Sequence, residues 1–339
     1  MANATPSRFG QIQGAGATDA LWLDIFGGEV LTAFETKVQT KDRIRTRTIT
    51  EGKSARFPAT FKAHTQYHTP GVEIAGQTIQ SNEVTVTLDD LLISPVEISE
   101  IDELKSHFDV RAPYSTELGN SMALAYDRIV TQCLLAAARG AALFADDDAG
   151  GSVIETDVAA GASFSTSGSD LIDGVNLAKQ ALDEKDVPVE NGVSALFLPA
   201  QWYLMARTDH NINQFYGGQS TLAHQVLTTV SDIQIVKSNA PLFGKDVTPY
   251  DAGTNADGLV GAPSGKYQLP AGFATKYQGD NTKTVGVVWT EAAAAMLQLM
   301  GLKMESEWDA RRQVTFMLAK MAIGAGPLRS KCAIELKTA

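Results

Sequence analysis

The 339-residue sequence predicts an α+β fold on three observations. Arg43 to Thr50 and Val84 to Leu88 alternate side-chain character with the period of two that a strand imposes. Leu118, Met122, Ala125, Ile129, Cys133 and Ala136 recur at helix spacing, with Glu117, Asp127 and Arg128 off that stripe. From Leu171 onward, helix-like and strand-like runs alternate. No repeat of ~20–50 residues is present, which excludes solenoids and propellers.

Composition narrows the class. Hydrophobic residues make up 44% and charged residues 20%, so the chain is a folded one. The charged fraction falls below the ~25% usual for soluble domains, which suits surface that self-association covers. With 28 Lys and Arg against 39 Asp and Glu the net charge is -11, which argues against nucleic-acid binding through bulk cationic charge. Two cysteines, Cys133 and Cys332, make no disulfide framework and read as buried thiols. Met1 to Gly10 carries no secretory signal pattern, and no apolar run approaches the ~20 residues of a membrane span.

Taken in order, the first twenty residues read as a flexible tail, followed by an amphipathic helix over Ala20 to Phe34 whose face is Leu21, Ile25, Leu31 and Phe34. Next comes a two-stranded ribbon over about Ile44 to Leu91 with Pro70-Gly71 as its best turn. An isolated hairpin is marginal in water, so another subunit is expected to cover it. The long helix starts between Asp109 and Ser115, with Pro113 in its first turn, and runs to about Leu143. Leu171, Val175, Ala178 and Leu182 form a further helix face capped by Ser169 or Asp170, then a strand at Val193 to Leu198 and a helix around Gln201 to Arg207. Strands follow at Ile233 to Val236 and Val285 to Trp289, with a long surface excursion between Phe243 and Asp280. Thr290 is expected to cap an Ala-rich helix through Leu299. Leu302 to Trp308 alternates, and Val314 to Ile323 with Cys332 to Leu336 reads as a hairpin turning at Gly324-Ala325-Gly326-Pro327.

Catalytic signatures are weak. His64 and His68 have i, i+4 spacing but lie in a ribbon and lack a partnering Glu. Gly10, Gly14 and Gly16 match a phosphate loop only in composition, and Asp146-Asp147-Asp148 lacks the ligand spacing of a calcium loop. No Gly-x-Ser-x-Gly elbow occurs, and neither cysteine has an activating context. No cofactor or metal is therefore expected. The charges, by contrast, are segregated. Eight cations from Lys37 to Lys62 face two anions, a net +6, and seven anions from Asp89 to Asp109 face Lys105 alone, a net -6. Such blocks suit either a solvated face or contacts between subunits.

Several strings carry a resemblance. Phe26-Gly27-Gly28-Glu29-Val30-Leu31-Thr32-Ala33-Phe34 resembles the N-arm helix of major capsid proteins from short-tailed, T-seven-type podoviruses. Gly52-Lys53-Ser54-Ala55-Arg56-Phe57-Pro58 is similar to the start of that family's extended loop, and Tyr67 with Pro70-Gly71-Val72-Glu73 to its tip. Leu88-Asp89-Asp90-Leu91-Leu92, His107-Phe108-Asp109-Val110-Arg111 and Tyr114 to Asp127 resemble the approach to its spine helix. Ala319-Lys320-Met321-Ala322 and Gly326-Pro327-Leu328-Arg329 resemble its closing hairpin. The middle, Val153 to Thr284, matches by element order alone.

The resemblance implies the Hong Kong 97-type capsid fold: an N-terminal arm at 1–43, an extended E-loop at 44–91, and a P-domain at 92–168 with its spine helix at about 115–143. An A-domain at 169–300 and a return to the P-domain sheet at 301–339 complete it. It implies a structural protein, not an enzyme, that forms pentamers and hexamers of an icosahedral shell around double-stranded DNA. Its partners would be copies of itself, a scaffolding protein and a portal at one vertex, with no membrane. Its place would be the virion capsid, assembled in the cytoplasm of a bacterial host. An encapsulin-type compartment shell and a soluble α/β enzyme are the alternatives. The charge blocks make Arg43, Arg45, Arg47, Lys53, Arg56 and Lys62 candidates to contact Glu97, Glu100, Asp102, Glu103 and Asp109 of a neighbour.

Overall fold

A computed structural model describes residues 20–74, 76–99, 111–144, 148–155, 163–187, 192–208, 229–247, 275–309 and 311–338. The expected N-terminal tail and most of the excursion after Phe243 lie outside them. The chain forms two compact units. One takes in the chain up to Val38, Asp90–Asp127 and Leu299–Ile323; the other comprises Gln39–Asp89, Arg128–Gln298 and Gly324–Ala339.

In the first unit, α1 (Ala20–Lys37) meets the N-terminal part of α2 (Arg111–Ala138). Gly119 permits the crossing: a Cβ there would sit 2.6 Å from the Val30 carbonyl oxygen and 2.7 Å from the Ala33 Cβ. Val30 and Phe34 are buried, and Phe34 stands edge-on to Tyr126 at 6.0 Å. Leu31, expected inside, is instead exposed, because the crossing at Gly119 turns the Val30 side inward. Strand β4 (Leu92–Ser99) pairs antiparallel with β11 (Val314–Pro327), running from Val314 opposite Ser99 to Met321 opposite Leu92. A hydrogen bond of 3.0 Å between the Ser94 and Ser121 hydroxyls ties this pair to α2.

Helix α2 has 28 residues, about 42 Å at 1.5 Å per residue. Pro113 lies in its first turn, as expected, but the helix ends at Ala138, short of Leu143. A Cβ on Gly140 would sit 2.5 Å from the Ser330 Oγ, and one on Gly151 only 2.1 Å from the Ala138 carbonyl oxygen, so the chain is tightly packed where the helix stops. Ala136, expected on the apolar stripe, is exposed, and Asp127, expected off it, is buried. From Ile129 to Leu135 every residue is buried, polar Thr131 and Gln132 included, so burial extends around the whole circumference.

The second unit is built on a six-stranded mixed sheet in the order β5-β12-β9-β6-β8-β7. Its strands are β5 (Ser152–Glu155), β6 (Val193–Phe197), β7 (Thr229–Val230), β8 (Ile233–Lys237), β9 (Thr284–Thr290) and β12 (Ala333–Lys337). All seven residues of β9 are buried, as its continuous apolar run demands of a central strand. Helix α3 (Gly168–Glu184) buries Leu171, Val175, Ala178 and Leu182 completely, and α4 (Pro199–Ala206) follows β6. The cap of α3 is Ser167, whose hydroxyl accepts from the Asp170 amide, two or three residues before the expected position.

Two expectations for the C-terminal region fail. The Ala-rich run after Thr290 is strand β10 (Ala294–Asp309), preceded by a single 3-10 turn at Glu291–Ala293. Helix propensity favours alanine, but Ala294, Ala295, Met296 and Leu297 are buried on both faces, and tertiary packing overrides propensity. Nor does the chain turn at Gly324-Ala325-Gly326-Pro327, because β11 runs through it. The hairpin is made by β10 and β11, with Gln313 in the left-handed region, while β12 joins β5 and β9.

One charge pair with a buried carboxylate locks this sheet. Arg139 lies just past α2, and its Nε and Nη2 donate to the two carboxylate oxygens of Glu335 at 2.6 Å each; Nη2 also reaches the Thr284 Oγ1 at 3.1 Å. Glu335 is fully buried. Removing one partner of such a pair strands the other charge. Arg139→Met is therefore expected to destabilise the chain by about 3 kcal/mol, and adding Glu335→Leu should recover most of that loss. The midpoint of denaturant unfolding checks both.

Candidate functional site: an extended ribbon and its seat

Strands β2 (Ser54–Thr60) and β3 (Ser81–Thr87) form an antiparallel ribbon, registered from Ser54 opposite Thr87 to Thr60 opposite Ser81. The expected ribbon was longer. Its first part, β1 (Arg45–Thr48), instead pairs parallel with Ala295–Gln298 of β10. Both β1 and β2 alternate, so period alone could not tell which segment pairs with which partner.

The ribbon also has a core in its own chain. Ala55, Phe57 and Val86 pack with Ala295, Leu297 and Leu328, joined by Ile49, Val84 and Leu88. Its root needs no second subunit to bury it. Gly324 and Gly326 permit the approach: a Cβ on Gly324 would lie 2.3 Å from the Thr87 carbonyl oxygen, and one on Gly326 3.2 Å from the Val86 Cγ2.

A polar clamp closes the root. Buried Tyr277 donates its hydroxyl to the Asp89 Oδ2 at 2.5 Å and accepts from the Ala325 amide at 2.9 Å. Lys276 pairs with the Asp89 Oδ1 at 2.8 Å and donates to the Thr87 carbonyl at 3.1 Å. Burial pushes the Tyr277 phenol upward, which keeps it a donor at neutral pH. Cys133 is fully buried and its thiol is pushed up for the same reason, so it packs as an inert apolar group. Cys332 is raised by burial too.

Farther out the anchoring thins. Phe61 meets Phe144 at 5.0 Å between ring centroids, the Asn82 Nδ2 donates to the Leu143 carbonyl at 2.9 Å, and Lys62 pairs with Asp186 at 2.9 Å. A cavity of about 210 Å³ lies beneath these contacts. Beyond Phe61 the chain loses its ladder, then turns at Pro70-Gly71. The Val72 amide bonds the Thr69 carbonyl and Gly71 has a φ of +92°, a type II arrangement that bears out the expected turn. The tip displays Tyr67, Val72, Ile74 and Ile79, and Tyr67 is as exposed as a free side chain. A run of large apolar groups presented to water marks a contact surface.

The nominated charges are distributed unevenly. The Arg43 guanidinium is spent on the Ser194 hydroxyl, the Gln234 side-chain oxygen and the Gln39 carbonyl. Arg47 donates to the Arg56 carbonyl and lies over the Phe57 ring at 5.6 Å. Arg56 pairs with Glu83 at 3.1 Å across the ribbon, and Lys62 with Asp186. Arg45 and Lys53 are exposed and make no side-chain hydrogen bond or ion pair among the described residues. Glu97 sits 3.4 Å from Arg312, while Glu100, Asp102, Glu103 and Asp109 lie outside the described residues. His64 and His68 are exposed on the tip, and no group of three metal-ligating side chains occurs among the described residues. Asp148 pairs with Lys331. Sequence reasoning missed Asp186, Arg312, Lys276 and Tyr277, which meet their partners across more than 100 residues of chain. The Arg56–Glu83 pair was within reach once the register was known.

The profile of the Gp10A-like major capsid proteins matches residues 56–337. The chain belongs to that family. It is 29% identical over 329 residues to the major capsid protein of Escherichia phage T7, covering 94% of this chain and 92% of that protein. It is likewise 29% identical over 335 residues to the major capsid protein of Enterobacteria phage T3, covering 95% and 93%. A chain of the capsid of cyanophage P-SCSP1u is 32% identical and superposes with a TM-score of 0.72, over 100% of this chain and 99% of that one. The fold is the Hong Kong 97-type. As a major capsid protein the chain is a structural shell protein of the virion capsid, not an enzyme, and the alternatives of a compartment shell and a soluble enzyme fall behind.

The outer seat carries a pH dependence whose direction is fixed. The hydrogen bond from Lys62 holds the exposed Asp186 carboxyl below its ordinary value of 3.8. A lowered folded value means that the contact is complete above the ordinary value and is lost as pH falls through the lowered one. The Lys62–Asp186 contact should therefore hold through neutral and mildly acidic pH and open below 3.8, which an NMR titration of the Asp186 carboxyl carbon checks. Asp186→Asn should remove the ion pair at pH 7, and high salt should weaken it, because both groups are solvated.

Proposed function

We propose that this capsid protein assembles as pentamers and hexamers into an icosahedral shell around double-stranded DNA, with the ribbon as the arm that reaches a neighbouring subunit. The observation that carries this reading is the exposed apolar tip, Tyr67, Val72, Ile74 and Ile79, held out from a root that its own chain already buries. In this reading residues 1–43 are the N-terminal arm, 44–91 the E-loop, 92–168 the P-domain with its spine helix, 169–300 the A-domain, and 301–339 the return to the P-domain sheet. A scaffolding protein, a portal at one vertex and assembly in the bacterial cytoplasm belong to the same reading. The net charge of -11 suits a shell that encloses DNA without gripping it.

The basic block contributes at the ribbon root. Of the nominated cations, Arg45 and Lys53 have no partner among the described residues and would meet a neighbour's acidic stretch from Glu97 to Asp109, with Arg47, Arg56, Lys62 and Arg43 adjusting from their partners within the chain. Each interface is modest, and closure of the shell multiplies it.

Electron microscopy of the chain co-expressed with the scaffolding protein from the same source tests the reading. Closed shells of uniform size are expected; discrete particles with the ~20 Å radius of gyration of one compact chain would overturn it. Tyr67→Ser with Ile74→Ser should abolish shells while leaving the unfolding midpoint unchanged, because neither side chain packs in its own chain. Arg45→Glu with Lys53→Glu should do the same; normal shells from that variant would remove the basic block from the mechanism.

A further inference from the structure

The cavity beneath the outer ribbon holds an unbalanced charge. Its wall includes Lys62, Arg329 and Lys331 on the cationic side and Asp148 and Asp186 on the anionic side. Lys62 is matched to Asp186 at 2.9 Å and Lys331 to Asp148 at 3.5 Å, the latter pair largely out of solvent. The Arg329 guanidinium is left without a hydrogen-bond acceptor or a carboxylate among the described residues, although the residue is half-buried. Its backbone is fixed: the Arg329 amide bonds the Ala293 carbonyl at 3.3 Å, and its own carbonyl accepts from Cys332 at 3.1 Å. A half-buried arginine on a fixed backbone, lining an open cavity, is a site for a planar oxyanion, because the guanidinium fork donates to a carboxylate in two parallel hydrogen bonds.

We propose that this cavity receives an Asp or Glu side chain from a second copy of the chain, gripped by Arg329. The proposal rests on the shell reading above and names a contact within it. Size favours a side chain: about 210 Å³ is below the ~300–1,000 Å³ of pockets for nucleotides and other small molecules. Charge favours the same occupant, since acidic residues outnumber basic ones 39 to 28, so a second copy is rich in surface carboxylates. The mouth adjoins the outer ribbon at Thr60, Phe61 and Lys62, the part of the chain held out from its own core. A docked carboxylate would also draw on Lys62, coupling arrival of the neighbour to the Lys62–Asp186 contact.

Arginine-selective labelling with phenylglyoxal, read by mass mapping, tests the site on the full chain. Arg329 should label in dissociated subunits and be protected in assembled shells. Arg329→Gln should raise the protein concentration at which shells appear by about tenfold or more, the effect of leaving a desolvated carboxylate unpaired, with the unfolding midpoint of the free chain unchanged. Arg329→Lys should recover part of the loss. If Arg329 labels equally in shells and subunits, or Arg329→Gln assembles at the threshold of the unmodified chain, the proposal fails. A lowered unfolding midpoint for Arg329→Gln would make the role internal to the chain and overturn it as well. Shells that form normally but hold less DNA would assign the site to phosphate, with the same consequence. Failure of the unmodified chain to form shells would instead reject the shell reading itself, so the two are separable.

Discussion

Everything distinctive about this chain depends on how a two-stranded ribbon is rooted. Such a ribbon has one face to bury and too few strands to bury it alone. Here the inner face, Ala55, Phe57 and Val86, is set against Ala295, Leu297 and Leu328, and two glycines of β11 let the backbones close up. Fully burying a Phe or Val side chain is worth roughly 1.5–3 kcal/mol. The root is therefore stable within one subunit, and the Asp89–Lys276–Tyr277 clamp fixes where the ribbon leaves the sheet.

That rooting leaves the tip free for another purpose. Along the ribbon the anchoring grades from apolar core to buried polar clamp, then to a ring contact, a hydrogen bond and an exposed ion pair over a cavity, and finally to solvent. Solvated ion pairs contribute little to stability. The outer ribbon is thus weakly held by its own chain, while its exposed Tyr67, Val72, Ile74 and Ile79 gain by being covered. A shell subunit benefits from this gradient, because a firm root transmits position and a weakly held tip remains available to a neighbour.

The six-stranded sheet answers a different constraint. The fully buried Glu335 sits in β12, and its charge is tolerable only because Arg139 meets it with two hydrogen bonds and the Thr284 hydroxyl donates a third. The pair ties the end of the long helix to the centre of the sheet. It sets the relation of these elements more sharply than apolar contact would, since a bidentate pair is directional.

Much of this was legible in the residues. The helix faces of α2 and α3, the runs of β6, β8 and β9, the Pro70-Gly71 turn and the family strings at both ends all rest on local periodicity or turn chemistry, which act within a few residues. Pairing partners were not legible. β1 alternates as a ribbon strand does yet joins β10; the Ala-rich run after Thr290 has helix propensity yet is a strand; the glycines of β11 look like a turn yet exist for close approach to Thr87 and Val86. Likewise the basic block was visible as a net +6, but only folding showed that Arg43, Arg47, Arg56 and Lys62 already have acceptors, and that Arg45 and Lys53 have none among the described residues. Local pattern sets which face of an element is apolar. Which surface covers that face depends on contacts between residues more than a hundred positions apart, and those are decided only when the whole chain packs.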